Sequence, residues 1–342
     1  MFTYEAQVGG SLHRLAASRS PNLAAELRSL GPGQPGLDVS SAQAKAVVFG
    51  HPTWVFTLFE DGTRTALGFG SIERGRIGAT LGITLTGGVP DSAAFWAGLR
   101  RFASDQWVTR LWIESIGAES SRSPIPALPG ERGRYSDVTL YALDLRKEED
   151  LHRQMSENHR RNVRKAERSG VAVTCSPGPE EVRAHLAVIG ASIERRSRRG
   201  EPTWLKASRE DVERIMATQA SRLYQARLDG EIVSSKLVFT VDEYAYYDSG
   251  GSSQKGMSVG ASHFLMREII IQLKADKMRV LNLDVASKSS GGLARYKAEF
   301  GASTWRVDRA YFEQRDLRAM ALNGLSGLAR WPGAAWRRAA AR

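Results

Sequence analysis

The chain has 342 residues, 42% of them hydrophobic and 25% charged. That is the composition of a folded protein with room for two domains of ordinary size, not of a disordered one. A net charge of +11 and a pI of about 9.9 favour acidic partners such as nucleic acid, nucleotides or a phospholipid surface. Cys175 is the only cysteine, which excludes an internal disulfide and a cysteine-rich zinc site and suits a reducing compartment. The first residues show no basic stretch followed by an apolar one, and no apolar run approaches the roughly 20 residues that span a bilayer. The expected location is the cytoplasm, at most touching a membrane surface.

The first 50 residues carry no pattern that points to a function. From Trp54 the chain reads as a strand entering an Asp61-Gly62 turn, then strands at Thr65 to Ser71 and Ile77 to Leu85. A helix from Ser92 to Ser104 and a strand from Val108 to Glu114 follow. The stretch Gly117 to Gly133 is rich in Ser, Pro and Gly and reads as a surface loop. The alternation of Val138, Leu140 and Ala142 predicts another strand, and a domain boundary is expected near residue 145.

Next comes Asn158-His159-Arg160-Arg161-Asn162-Val163-Arg164-Lys165-Ala166-Glu167-Arg168-Ser169-Gly170. Leu151, Met155, Val163 and Ala166 keep to one side at helical spacing, while Arg160, Arg164 and Arg168 form another stripe with Arg161 and Lys165 beside it. The spacing predicts one helix with a buried face and a cationic face, ended by Gly170. Part of that charge suits the negative end of the helix dipole. Five cations on one helix also repel one another, and a polyanion would relieve the repulsion. A second cationic group, Arg195-Arg196-Ser197-Arg198-Arg199-Gly200, ends a later helix.

A second hairpin opens at Leu223 and turns at Asp229-Gly230. Strands at Ile232 to Thr240 and Glu243 to Ser249, a glycine-rich loop, a helix from Ala261 to Ala275 and a strand Val280 to Asp284 follow. Gly62 to Glu114 spans 52 residues and Gly230 to Asp284 spans 54. The same plan, twice, at nearly equal length and ending each time in an acid, predicts an internal duplication. The class is α/β (α+β): mixed sheets flanked by helices. Domains are expected at 1–145 and 146–314, with a basic helical tail at 315–342 carrying Trp331 and Trp336.

Two segments resemble the signatures of Fem-type proteins, which are tandem-GNAT acyltransferases. One is Asn158 to Val171, similar to N-x-R-R-N-[IV]-R-K-A-x-x-x-G-[IV]; the other is Leu293-Ala294-Arg295-Tyr296-Lys297-Ala298-Glu299-Phe300-Gly301, similar to L-x-x-[FY]-K-x-x-F-G. The resemblance covers roughly Trp54 to Phe312 and implies two tandem GNAT-like domains. It also implies transfer of an amino acid from aminoacyl-tRNA to an acceptor amine, on a peptidoglycan precursor, small peptide or natural product. Lys297, which matches the family's lysine at the transfer centre, would stabilise developing negative charge. An arginine of the second cationic group would meet phosphate on the acceptor.

The residues themselves add candidates. Asp284 ends a strand where ligand-binding groups collect, and would accept the amine proton or orient Lys297. Tyr247 and Asp248, with Tyr246, close the preceding strand and would line an acyl pocket. On the last amphipathic segment Tyr296 and Phe300 are expected to face the core, with Tyr296 near substrate and Lys297 pointing elsewhere. Arg160, Arg161, Arg164, Lys165, Arg195 and Arg198 are the expected phosphate contacts. Gln254 to Ser262 precedes a helix and offers N–H groups to phosphate, but its spacing departs from the coenzyme-A loop [R/Q]-x-x-G-x-[G/A]. Cys175 lacks a partner histidine, the six histidines lack metal spacing, and no tightly bound cofactor is expected. Two alternatives stay open: an acyl-CoA-dependent N- or O-acetyltransferase of envelope or exopolysaccharide synthesis, and a non-catalytic tRNA- or membrane-binding module.

Overall fold

A computed structural model describes residues 1–8, 11–19, 41–75, 78–86, 92–117, 125–126, 132–147, 151–176, 178–200, 209–286 and 291–313. Most of the Ser/Pro/Gly loop and the whole basic tail lie outside the described residues. The chain divides into two compact units: Met1–Val138 with the segment from Trp305, and Thr139–Thr304.

The first unit contains β1 (Phe2–Val8), β2 (Ser11–Arg19), α1 (Ser41–Val48), β3 (Thr53–Glu60), β4 (Thr63–Arg74), β5 (Ala79–Thr86), α2 (Ala93–Asp105), β6 (Val108–Gly117) and the start of β7 (Arg132–Asp144). Strands β1 to β5 pair antiparallel in sequence order, and β5 pairs parallel with β6 across the α2 crossover. Phe56, Leu81, Ile83, Phe95, Leu99, Phe102 and Ile113 fill the core between this sheet and α2. Ser92 caps α2 by accepting from the Phe95 N–H at 3.4 Å.

The second unit contains α3 (Leu151–Gln154), α4 (Glu157–Arg168), β8 (Ala172–Cys175), α5 (Pro179–Arg198), α6 (Arg209–Met216), β9 (Ser221–Leu228), β10 (Glu231–Val241), β11 (Tyr244–Ser252), α7 (Gln254–Val259), α8 (Ala261–Ala275), β12 (Val280–Ala286) and α9 (Gly291–Ala298). β13 (Ser303–Glu313) follows and pairs with β6 of the first unit. In the second unit β8 to β11 pair antiparallel in order, and β11 pairs parallel with β12 across α8.

The two repeats therefore share one topology: antiparallel hairpin, third antiparallel strand, helix, parallel strand. Both hairpins turn on an Asp-Gly pair with positive φ at both residues, 47° and 82° in the first and 53° and 80° in the second. Such turns match the twist of the flanking strands. Each sheet is extended by an antiparallel strand beyond the parallel pair, and these strands are exchanged. The end of β7 pairs with β12, while β13, which the sequence groups with residues 146–314, returns to β6.

The predicted basic helix is two helices. Leu151–Gln154 and Glu157–Arg168 are broken at Ser156, whose hydroxyl accepts from the His159 N–H at 3.2 Å and starts a new helix. Leu151, Met155, Val163 and Ala166 are buried as their spacing predicts. Gly260 closes α7 and opens α8 at φ 79°, and a Cβ there would lie 2.4 Å from the Asn162 carbonyl oxygen.

Replacing Gly260 by Ala should cost more than about 1 kcal/mol, since left-handed backbone alone costs an L-residue roughly that much. Gly190→Ala should move urea denaturation midpoints the other way, by about 0.5–1 kcal/mol. Gly190 lies inside α5, and a Cβ there would meet nothing within 4 Å.

Candidate active site

The repeats differ where a ligand would enter. In the first unit β5 and β6 stay paired from Ala79 through Thr86. In the second, β11 and β12 pair only at Tyr244, Ala245 and Tyr246 against Val280, Leu281 and Asn282, then part. Two β-bulges cause the parting. On β11 the extra residue is Asp248, since Ser249 faces Leu237 and Tyr247 faces Val238. On β12 the pairing with β7 breaks between Asn282 and Val285, leaving Leu283 and Asp284 outside the ladder. Bulges add local twist and re-aim side chains.

Asp284 holds φ 65°, and its N–H donates to the Asn282 side-chain oxygen at 2.7 Å. Aspartate tolerates this conformation better than most residues, and such outliers collect at functional sites. Its counterpart in the first repeat is Glu114 on β6, which is 2% exposed and accepts from the Arg309 guanidinium at 2.7 Å. The first repeat has thus committed its acid to an internal ion pair and zipped its strands. The second keeps both free.

Lys297 is the one buried residue of α9, only 3% exposed, and its ammonium donates to the Val285 carbonyl at 2.8 Å. The sequence places Tyr296 in the core and the lysine outside, whereas Tyr296 is half-buried and Lys297 is enclosed. Burial pulls Lys297 down to about 8, with the Asp284 carboxylate opposing the shift and Arg196 adding to it. The Tyr296 hydroxyl donates to the Ser262 carbonyl at 3.0 Å and lies 3.1 Å from the Ser262 hydroxyl. Burial raises the Tyr247 and Tyr296 phenols, so both stay protonated through neutral pH.

The long basic motif serves two ends. Asn158, Asn162 and His159 build the frame: Asn158 donates to Glu299 at 3.3 Å, and Asn162 donates to the Asn158 carbonyl at 2.9 Å. His159 is 1% exposed, with Nε2 3.0 Å from the Tyr296 carbonyl. Its Nδ1 lies 2.9 Å from Glu299 without hydrogen-bond alignment, and burial lowers its affinity for a proton. These contacts tie α4 to the helix that carries Lys297.

The outward residues remain cationic. Arg161, Arg164, Lys165 and Arg168 are exposed, and Arg160 is half-buried. Glu157 accepts from Arg160 at 2.8 Å and from Arg164 at 2.7 Å, and Asn158 accepts from Arg161 at 3.1 Å. Exposed pairs of this kind contribute little and exchange readily for a better anion. Arg161, Arg164, Glu167 and Arg168 line a cleft of about 390 Å³.

The second cationic group divides. Arg195 is half-buried and donates to the Ser252 carbonyl at 2.7 Å and the Ser192 hydroxyl at 3.0 Å, fixing α5 to the end of β11. Arg198 is exposed and paired with Glu194. Arg196, which the sequence did not single out, is the arginine whose charge reaches Lys297 and Tyr247. Lys236 also escaped sequence reading, because β10 offers no motif and the fold alone brings it to Ser262 and Tyr296.

Within Gln254 to Ser262 the N–H groups of Gly256, Met257 and Gly260 donate within the chain, as do those of Ser253, His263 and Phe264 just outside it. Gly256 and Gly260 answer packing, since a Cβ would meet the Val233 carbonyl oxygen at 2.2 Å or that of Asn162 at 2.4 Å. Partial burial raises the Cys175 thiol, the wrong direction for an activated nucleophile. Among the described residues no group of three or more His, Cys, Asp or Glu could hold a metal ion, and no helix is long and apolar enough to cross a membrane.

Residues 153–298, wholly within the second unit, match the family model described as an acetyltransferase (GNAT) domain. The fold is similar to the crystal structure of FemX, with TM-score 0.55, 12% identity, and coverage of 85% of this chain and 96% of that one. It is also similar to a GCN5-related N-acetyltransferase from Sphaerobacter thermophilus, with TM-score 0.50, 15% identity and coverage of 89% and 98%. A tandem GNAT protein from the clavulanic acid biosynthesis pathway aligns with TM-score 0.49, 14% identity and coverage of 88% and 99%. Among curated proteins none matches the sequence. The chain thus has the GNAT fold and carries a GNAT acyltransferase domain, whose matched segment contains the parted strands, Asp284 and Lys297.

The contrast between the two acids is open to measurement. Glu114→Ala should cost about 3 kcal/mol or more in urea denaturation, because it strands Arg309 without its partner. Asp284→Asn should leave the midpoint within about 0.5 kcal/mol, since asparagine accepts the same backbone conformation.

Proposed function

We propose that the protein forms an amide bond, moving an aminoacyl group from aminoacyl-tRNA to an acceptor amine, in the manner of Fem-type transferases. The observation that carries this reading is Lys297: a buried cation beside Asp284, where β11 and β12 part. The donor ester is already activated, so no nucleophilic side chain is needed. The acceptor nitrogen attacks the ester carbon, the carbonyl oxygen takes up negative charge, and the carbon–oxygen bond to the ribose then breaks. The Lys297 ammonium offers a fixed positive charge to that oxygen or to the leaving ribose oxygen. Asp284 holds Lys297 protonated and accepts the proton that the amine loses, directly or through water. Tyr247, Asp248 and Tyr296 line the acyl pocket.

Donor choice rests on two further features. The outward cations of α4 present Arg161, Arg164 and Lys165 to solvent, in a form that suits phosphates of RNA or of a phosphorylated acceptor. Arg198 extends this set, while Arg195 is committed to holding β11. The segment at the coenzyme-A loop position departs from the [R/Q]-x-x-G-x-[G/A] spacing, which favours tRNA over acyl-CoA. Transfer of labelled amino acid from charged tRNA, run beside labelled acetyl-CoA with the same acceptor, tests the reading. Turnover with acetyl-CoA alone would assign the acyl-CoA-dependent reaction instead.

Lys297→Ala should lower turnover about 10²-fold, the scale of removing one oxyanion-stabilising group. Because the catalytic form is the ammonium, wild-type turnover should fall as pH rises through about 8. In Asp284→Asn that fall should begin at lower pH, since the charge that holds the proton on Lys297 is gone. Unchanged turnover in Lys297→Ala with either donor would remove the lysine from the mechanism.

The Arg161→Gln, Lys165→Gln double variant should weaken tRNA binding. It should also reduce the slope of log affinity against log salt by roughly 1.4–1.8, because two phosphates are no longer neutralised. An unchanged slope in a filter-binding titration would return α4 to the role of a solvated face.

A further inference from the structure

One buried ionisable group stands beside this chemistry without a role in it. Lys236 sits in the middle of β10, 3% exposed, directly across from Gly250 on β11. Its stem crosses the glycine: a Cβ on Gly250 would lie 3.1 Å from the lysine Cγ and 2.6 Å from the Tyr247 hydroxyl. The head therefore reaches over β11, the strand that parts from β12. There it donates to the Ser262 hydroxyl at 3.1 Å and lies 5.3 Å from the ring centres of both Tyr247 and Tyr296. No carboxylate among the described residues pairs with it. An ammonium has three N–H bonds, so two remain unused in a place from which water is largely excluded.

The local charge is also unbalanced. Among the described residues the one charged group that acts on Lys236 is Lys297, another cation. A buried charge is tolerable when it is paired and hydrogen-bonded. Two aromatic faces stabilise a cation but neutralise nothing. A single negative charge brought by a ligand would supply the partner that Lys236 lacks.

We propose that Lys236, between Tyr247 and Tyr296 and beside Ser262, binds a carboxylate carried by the acceptor, so that the acceptor is an amino acid or a short peptide with a free carboxylate. The inference deepens the transfer reading and rests on it for the word acceptor; the carboxylate site itself stands on geometry. Lys236 would fix one end of the molecule while the amine at the other end meets Asp284 and the acyl carbon.

Carboxylate binding requires the protonated lysine. In the free protein burial and the neighbouring Lys297 bring Lys236 down to about 7. Of the other groups facing it, Lys297 titrates in the same range, at about 8, whereas burial holds His185 to about 4 and His263 to about 3, and the Tyr247 and Tyr296 phenols remain protonated. Asp248, Asp284 and Arg196 are the remaining charged groups around these side chains. Binding should accordingly be strongest below pH 7 and weaken as pH rises through it.

The test is saturation-transfer NMR with a mixture of α-, β- and γ-amino acids and their glycyl dipeptides, beside the matched mixture of carboxamides. The wild-type protein should give signals from a small subset of the carboxylates at pH 6, weaker signals at pH 8.5, and none from the carboxamides. Lys236→Met, which fills the same space without the charge, should lower affinity for that subset at least about 10-fold. It should melt at or above the wild-type temperature, because an unpaired buried charge has been removed. Lys236→Arg, which keeps the charge, should retain part of the binding and lose its fall at pH 8.5. Carboxamides that bind as well as carboxylates, a silent wild type, or undiminished binding in a folded Lys236→Met would overturn the proposal. Lys236-dependent carboxylate binding in a protein inactive with both donors would uphold the site and overturn only the transfer reaction.

Discussion

Two extra residues, one on β11 and one on β12, decide what the second unit can do. A parallel pair of strands with regular ladders on both sides has no reason to separate, and in the first unit β5 and β6 run together along their length. The bulge at Asp248 and the one at Leu283–Asp284 turn the same pair apart in the second unit after three residues. Everything proposed for the site hangs on that opening. It leaves Asp284 out of the ladder, gives Lys297 a carbonyl to donate to at Val285, and leaves Tyr247 and Tyr296 within 5.3 Å of the Lys236 ammonium. Backbone irregularity thus supplies what the side-chain inventory of the two repeats alone would not.

The architecture was legible in the sequence because it is written in local signals. Asp-Gly turns, alternating strands and a capped helix recur at matching intervals, and the strands and helices fall within a few residues of their expected bounds. The strand exchange was not legible, since no residue of β7 or β13 says which sheet edge it will join. The break at Ser156 was hidden for a different reason. Apolar spacing continues smoothly through it, and a serine that caps a helix looks like one that merely sits in it.

The candidate site was readable only where a motif names it. Lys297 and Asp284 stood out, yet the orientation of Lys297 was misjudged, because a lysine beside two aromatic residues normally leaves the core to them. Lys236 gave no signal: in sequence it is one polar residue in an apolar strand. The basic motif was legible as charge but not as structure. Roughly half of its residues hold α4 against α9 and Gly260, so its length reflects a frame as much as a binding face.

The exchange of β7 and β13 binds the two repeats in time. The first sheet acquires β13 along β6 only after about 190 further residues have been made. At synthesis rates of roughly 5–20 residues per second, the β6 edge waits some tens of seconds for that partner. Until then the nascent chain carries a strand edge rich in apolar residues, Leu111, Trp112, Ile113 and Ile116 among them. A ribosome that stalls anywhere in the second unit therefore leaves the first one incomplete. Cleavage of the chain between the repeats would not yield two self-sufficient halves, because each would keep the other's last strand.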